Sequence, residues 1–250
     1  MNLSPTVFRP LILTLTLSLT LGAPGLADTA PNDPETLMSG IDAMRRLPAG
    51  GVRMVQSGAQ VFFLSDNGRY AFFGPGFDLW HGARLTSLPE AERLMGRLDR
   101  TRLTLDAGDL GALDVGTGTA EVLVFADPRC GACAALLDRL QALPPPLLKH
   151  YRFRLIPVPV LGGESQREVL ALSCLAERDR AAALEAWLTE RTAELPPATD
   201  SCGQGPLQRA LVTAHLLGLE RVPFLIAPDG RLQSGAPPDL EAWLAGGEGV

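Results

Sequence analysis

The sequence predicts a mixed α+β protein in which a small hairpin-bearing domain precedes an α/β sandwich. Three observations carry that prediction. First, Gln60–Ser65 and Arg69–Phe73 read as strands around Asp66-Asn67-Gly68, a tripeptide that tolerates the positive φ of a tight turn. Second, the pattern changes from Ala120 onward to alternating strand and helix, as in a layered sheet with helices packed on it. Third, the chain is 46% hydrophobic and 20% charged, a balance that supports a folded core and excludes disorder.

Element by element, the chain opens with an export signal over residues 1–27. Arg9 supplies a positive charge and Leu11–Gly22 an apolar stretch. Gly25-Leu26-Ala27 ends it with the small-x-small pattern that places the cut after Ala27. The apolar stretch is too short to cross a bilayer, which takes about 20 residues. A Pro- and Asp-containing leader follows, Asp28–Glu35. Thr36–Leu47 reads as a short helix stopped by Pro48-Ala-Gly-Gly51, Val52–Gln56 as a strand, and Pro89–Leu98 as a helix with Ser87 as its N-cap. The N-terminal domain therefore runs over 28–100. Residues 101–118 read as a linker closed by Gly116-Thr-Gly118. A phosphate-binding glycine loop would lead into a helix, whereas a strand follows here.

The second domain, 119–250, begins with a buried strand, Glu121–Ala126, and a helix from Cys130 to Ala142 that Pro144-Pro-Pro146 breaks. Tyr151–Val160 is the next strand. Helices at Gln166–Ala176, Arg180–Arg191 and Pro206–Leu217 precede the strand Pro223–Ala227. Pro228-Asp-Gly230 turns the chain back into Arg231–Ser234, and Pro238–Ala245 is the last helix. This is the order of a thioredoxin-like fold carrying a helical insertion.

Charge and cysteines narrow the function. With 22 basic against 28 acidic side chains and no basic stripe, nucleic acid is excluded as a partner. Export places the four cysteines, Cys130, Cys133, Cys174 and Cys202, in an oxidising setting. They allow three pairings, among which composition does not choose. Cys130 and Cys133 are separated by two residues where a strand ends and a helix begins. A helix N-terminus stabilises a thiolate through its free N–H groups and partial positive charge, and the thiolate is the species that attacks disulfides. Cys130 is the expected nucleophile and Cys133 the resolving thiol, with Arg129 either adding a neighbouring positive charge or facing solvent. Structural zinc would need four ligands, and His81, His150 and His215 are scattered, so no metal is expected. Cys174 and Cys202 are read as a structural disulfide, a second redox relay being the alternative.

Phe125-Ala-Asp-Pro-Arg-Cys130-Gly-Ala-Cys133, continuing to Leu136, together with Arg221-Val222-Pro223-Phe224, resembles the periplasmic disulfide isomerases of the DsbC/DsbG family. Gln60–Trp80 resembles the hairpin region of that family's N-terminal dimerisation domain, a small cystatin-like unit. The resemblance implies a homodimer acting on misoxidised periplasmic client proteins, with a membrane thiol reductase as electron donor and no cofactor. It makes Pro223 a cis-proline facing the cysteines and Val222 the residue whose backbone meets the substrate. Gly131 and Ala132 lie between the two sulfurs, and Cys174 and Cys202 fall where the family keeps its structural disulfide. Three positions depart from the pattern. Ala132 replaces an aromatic residue. Val222 replaces threonine, as in the oxidase branch of the superfamily. Val124 stands where thioredoxins carry a buried acid. A dithiol oxidase is thus the alternative within the superfamily. A chaperone or assembly factor for a secretion or conjugation apparatus is the alternative outside it. Phe62, Phe63, Phe72, Phe73 and Trp80 are expected in the core rather than lining a client cleft.

Overall fold

The computed structural model describes residues 40–48, 50–100 and 105–246. The export signal, the leader and the first four residues of the Thr36–Leu47 helix expectation lie outside these residues. The described chain opens with an antiparallel meander in the order β1 (Ala43–Arg46), β2 (Val52–Ser57), β3 (Gln60–Ser65), β4 (Ala71–Phe73). The helix expected up to Leu47 is therefore a strand where it can be seen. Ala43 to Arg46 pair with Gln56 to Arg53 along the free edge of β2, and sheet hydrogen bonds override the modest helix propensity of Ala-Met-Arg-Arg. Arg45 pairs with Glu92, and Arg46 reaches Asp66 at 3.1 Å.

The turn between β3 and β4 uses Gly68 at φ +68°, where a side chain would be strained, and Asn67 Oδ1 accepts the N–H of Arg69 at 3.0 Å. Strand alternation gives the meander two apolar faces. Met54 packs with Leu85, Leu88, Ala91 and Leu94, while Val55, Phe62 and Leu64 form a separate cluster. Helix α1 (Leu88–Met95) covers the first face. Ser87 Oγ accepts the N–H of Glu90 at 3.4 Å and Pro89 lies in the first turn. The helix closes on Gly96, earlier than the expected Leu98. A second hairpin, β5 (Gly76–Asp78) with β6 (Ala83–Leu85), escaped the sequence reading because its strands are only three residues long.

The second sheet has five strands in the order β11 (Leu232–Ser234), β10 (Phe224–Ile226), β8 (Ala120–Ala126), β9 (Tyr151–Pro157), β7 (Leu113–Val115). Its edge strand β7 (Leu113–Val115) comes from the segment expected to be a linker. Leu113 pairs with Leu155, and Leu110, Ala112 and Leu113 are buried. The glycines of that segment hid three residues of pairing that only the neighbouring strand specifies. The central strand β8 (Ala120–Ala126) is buried on both faces, which is why it reads as a continuous apolar run. Val122, Val124 and Ala126 face one core with Leu136, Leu140, Phe153, Leu172 and Trp187. Leu123 and Phe125 face the other with Ile156, Ala210, Phe224 and Ile226.

Around this sheet lie α2 (Gly131–Gln141), α3 (Pro145–His150), α4 (Gly163–Arg178), α5 (Arg180–Leu188), α6 (Gln204–Leu216) and α7 (Leu240–Leu244). Pro144 ends one helix as expected, and the prolines after it start α3, where a missing N–H costs nothing. The segment after α1 joins the edge of this sheet. Leu98 N–H donates to Gly230 O at 2.7 Å and Leu232 N–H to Gly96 O at 2.9 Å. Gly230, at φ +85°, is required there, since a Cβ would lie 2.1 Å from Leu98 O.

Strand direction determines what meets at the end of β8. Strand β9 (Tyr151–Pro157) runs parallel to β8, so both finish at the same edge. Strand β10 (Phe224–Ile226) runs antiparallel to β8 and begins there. Three loops therefore converge: Asp127–Cys130, Val158–Gly162 and Arg221–Pro223.

Candidate active site

Cys130 is the N-cap of α2, with extended backbone at φ −87° and ψ 112°. Its N–H donates to Asp127 O at 3.0 Å, and its carbonyl accepts from Cys133 at 2.9 Å and Ala134 at 3.0 Å. The first turn of α2 carries no acidic side chain to oppose an anion at the cap. The Val222–Pro223 bond is cis, and Cys130 Sγ lies 3.9 Å from Val222 O. Cys130 is half-buried, Cys133 is 1% exposed, and both thiols are free. Burial, and next the adjacent Cys130 sulfur, push the Cys133 thiol well above the ordinary thiol range. The pair is thus asymmetric, with an accessible sulfur on a helix N-terminus in front of a buried one that holds its proton.

Gly131 and Ala132 occupy the exposed first turn of α2, and a Cβ at Gly131 would meet no atom within 4 Å. Packing therefore leaves the residues between the cysteines free to vary. Val222 is half-buried, Pro223 is buried, and Val124 is buried with no carboxylate in its place.

Arg129 is committed elsewhere than its sequence position beside Cys130 suggests. Its guanidinium donates to Glu168 Oε1 at 2.5 Å, and Thr192 Oγ1 donates to Glu168 Oε2 at 2.8 Å. Glu168 is 3% exposed, so the buried carboxylate takes up the arginine's charge. Asp127, which the sequence reading passed over, is fully buried. Its Oδ1 accepts the N–H of Arg129 at 2.9 Å. Its Oδ2 accepts Val160 N–H at 2.8 Å, Leu161 N–H at 3.0 Å and Ser165 Oγ at 2.5 Å. An acid at the end of an apolar strand, followed directly by proline, was the available signal.

Cys174 of α4 and Cys202 form a disulfide across 28 residues. Among the described residues no cluster of metal-ligating side chains occurs. The aromatic residues of the first sheet divide. Phe62 is core, while Phe72 and Phe73 are 57% and 59% exposed and Trp80 lies at the surface. The expectation of a core role fails for Phe72 and Phe73, which lie on β4, an outermost strand with one unpaired edge, and for Trp80, which lies in the turn between β5 and β6.

A five-stranded sheet of thioredoxin order, a Cys-x-x-Cys at a helix N-cap and a cis-proline facing it define a thioredoxin-fold dithiol protein. Residues 35–87, ahead of this dithiol fold, match the family described as the disulfide bond isomerase protein N-terminal domain. The chain is 24% identical over 192 residues to the probable thiol:disulfide interchange protein DsbC of Bordetella avium (strain 197N), a match covering 76% of this chain. It spans 64% of that relative's length. Among solved structures, Proteus mirabilis ScsC in a transitional conformation superposes with a TM-score of 0.46 at 18% identity, over 56% of this chain and 74% of that one. A disulfide interchange protein from Neisseria gonorrhoeae does so at 0.44 and 24% identity, over 58% of this chain and all of the other (100%). Among the described residues no helix is long and apolar enough to cross a membrane.

Proposed function

We propose that this protein is a periplasmic thiol–disulfide oxidoreductase that rearranges wrong disulfides in exported client proteins. The observation that carries the reading is Cys130 at the N-cap of α2, 3.9 Å from the carbonyl that precedes the cis-proline, with Cys133 buried behind it. The Cys130 thiolate attacks one sulfur of a client disulfide, forming a mixed disulfide and releasing the other client sulfur as a thiolate. A second client thiolate can then attack the mixed disulfide, which returns Cys130 as thiolate and leaves the client with a new pairing and no net redox change. Alternatively Cys133 gives its proton to the released client thiolate and attacks Cys130. The client is then reduced by two electrons and the Cys130–Cys133 pair oxidised, and a dithiol donor such as a membrane thiol reductase must restore it. Because Cys133 is buried and its thiol form is favoured, the second route begins with the loss of that proton.

The test is recovery of a small secreted protein whose disulfides have been scrambled, in a buffer that keeps the dithiol reduced. The wild type is expected to accelerate recovery and Cys130→Ala to fall to the uncatalysed rate. Recovery that survives Cys130→Ala would mean a chaperone. The oxidase reading rests on Val222 before the cis-proline. Thiol trapping in cells separates the two, since an isomerase is found mainly as the dithiol and an oxidase mainly as the disulfide.

The exposed Tyr70, Phe72, Phe73, Phe77 and Leu79, five large apolar side chains within one short stretch of the first domain, support a homodimer, since exposed apolar surface of this kind marks an interaction surface. Sedimentation of the mature chain is expected to give twice the monomer mass. Phe72→Ser with Phe73→Ser should shift it to monomer.

A further inference from the structure

The residue bonded to the nucleophile carries a full positive charge, and the fold commits that charge to another element. Arg129 N–H donates to Asp127 Oδ1 at 2.9 Å, and the Arg129 guanidinium reaches Glu168 Oε1 at 2.5 Å, 39 residues along the chain. Glu168 is 3% exposed, although 43% of the Arg129 side chain still meets solvent. A carboxylate buried this deeply is costly, and the guanidinium and Thr192 Oγ1 are the partners that offset the cost. Its placement follows from helix geometry. Ser165 and Glu168 lie three residues apart on one face of α4, and Ser165 Oγ donates to Asp127 Oδ2 at 2.5 Å. That oxygen also accepts Val160 and Leu161 N–H, so Asp127 joins the Asp127–Cys130 and Val158–Gly162 loops in one piece. Helix α4 thus grips the nucleophile's turn twice, at Asp127 through Ser165 and at Arg129 through Glu168. The other charges near the turn are matched among themselves. The Asp127 carboxylate accepts four donors, and Glu164 pairs with Arg167 at 2.5 Å. The first turn of α2 carries no acid.

We propose that Glu168 is a positioning residue for disulfide exchange, which holds the Arg129 guanidinium on a buried carboxylate and so sets the redox poise of the Cys130–Cys133 pair. The inference rests on the thiol–disulfide reading above and gives it a direction. Covalent reach puts the guanidinium within about 10 Å of the Cys130 backbone, a distance over which a charge at a protein edge still acts. An unmatched cation there would favour the Cys130 thiolate. The reduced pair would gain stability, and the protein would become a stronger oxidant. The attack would also weaken, since a thiolate loses nucleophilicity as it is stabilised. With Glu168 matching the charge, activation of Cys130 is left to the helix N-terminus, and the sulfur keeps more of its reactivity toward client disulfides. Solvent at the half-exposed arginine screens the effect, which is therefore several-fold rather than many orders of magnitude.

The test is equilibration of the full mature chain with glutathione at pH 8, where a thiolate at a helix N-terminus is formed. One oxidised glutathione takes two electrons from the Cys130–Cys133 dithiol, which gives the protein disulfide and two glutathione thiols. Glu168→Gln keeps the side-chain shape and an acceptor for Thr192 while removing the charge. Its constant for oxidation by glutathione is expected to fall about fivefold, which is a reduction potential about 20 mV higher. Adding Arg129→Met removes both charges and should return the constant to within about twofold of the wild type. A merely structural role for Glu168 predicts no such return. Should Glu168→Gln fail to fold, Arg129→Met alone decides. It is expected to raise the constant, because the remaining carboxylate opposes the thiolate. An unchanged constant in the deciding single variant, a shift of the opposite sign, or a Glu168→Gln shift that persists in the double variant overturns the proposal. A wild-type dithiol that never exchanges with glutathione overturns the thiol–disulfide reading itself.

Discussion

Asp127→Ala is expected to destabilise the protein by about 3–5 kcal/mol, the largest loss foreseen for any single polar side chain of the described residues. The carboxylate is fully buried and accepts four donors, three of them backbone N–H groups. Each such bond to a charged acceptor contributes about 1.5–3 kcal/mol, offset by the cost of burying the charge. Alanine removes the acceptor and leaves Arg129, Val160 and Leu161 N–H and the buried Ser165 hydroxyl without that partner. Asp127→Asn should lose less, because one amide oxygen can keep the Val160, Leu161 and Ser165 donors. Its NH2 group would then face the N–H of Arg129, donor against donor. Ser165→Ala, which removes one hydroxyl from the network, should cost about 1 kcal/mol. Urea unfolding of the three reduced variants measures the series. A loss below about 1 kcal/mol for Asp127→Ala would mean that water replaces the carboxylate and that the two loops are not held as one piece.

The parts of this architecture visible in the sequence are those with local causes. The turn at Gly68, the N-cap at Ser87, the buried run of β8 and the helix after Cys130 each follow from residues within a few positions. Strands β1 and β7 are invisible for the opposite reason. Ala43–Arg46 and Leu113–Val115 have weak patterns of their own, and each is a strand because the edge of another strand, β2 across the next turn or β9 far along the chain, offers it hydrogen bonds. The site divides the same way. The two cysteines and the proline are readable from residue type and spacing. The commitment of Arg129 to Glu168, 39 positions away, and the fourfold role of Asp127 depend on which loops the sheet brings together. The exposed Phe72 and Phe73 were misread because aromatic strand residues normally cover a core, and only the outermost position of β4 shows that here they do not.

Cys133→Ala is expected to convert the protein from one that releases its clients into one that accumulates them covalently. The argument is one of partition. Once Cys130 has formed a mixed disulfide, the bond is broken either by a client thiolate or by Cys133. The second exit needs a thiolate at a position 1% exposed, where burial and the neighbouring Cys130 sulfur favour the thiol. Removing Cys133 closes that exit completely, while rearrangement through client thiols stays open. Net reduction of a disulfide peptide with no further thiol should therefore fall to the uncatalysed rate, and adducts should appear on a non-reducing gel. The fold should survive, since removing one buried sulfhydryl group costs about 1 kcal/mol. Cys130→Ala must give no adducts, because the sulfur left behind has no access to a client. Adducts in Cys130→Ala and none in Cys133→Ala would invert the roles. That result would show that the buried thiol reaches the surface during exchange, so that local opening at the start of α2, rather than the helix N-terminus acting on Cys130, selects the nucleophile.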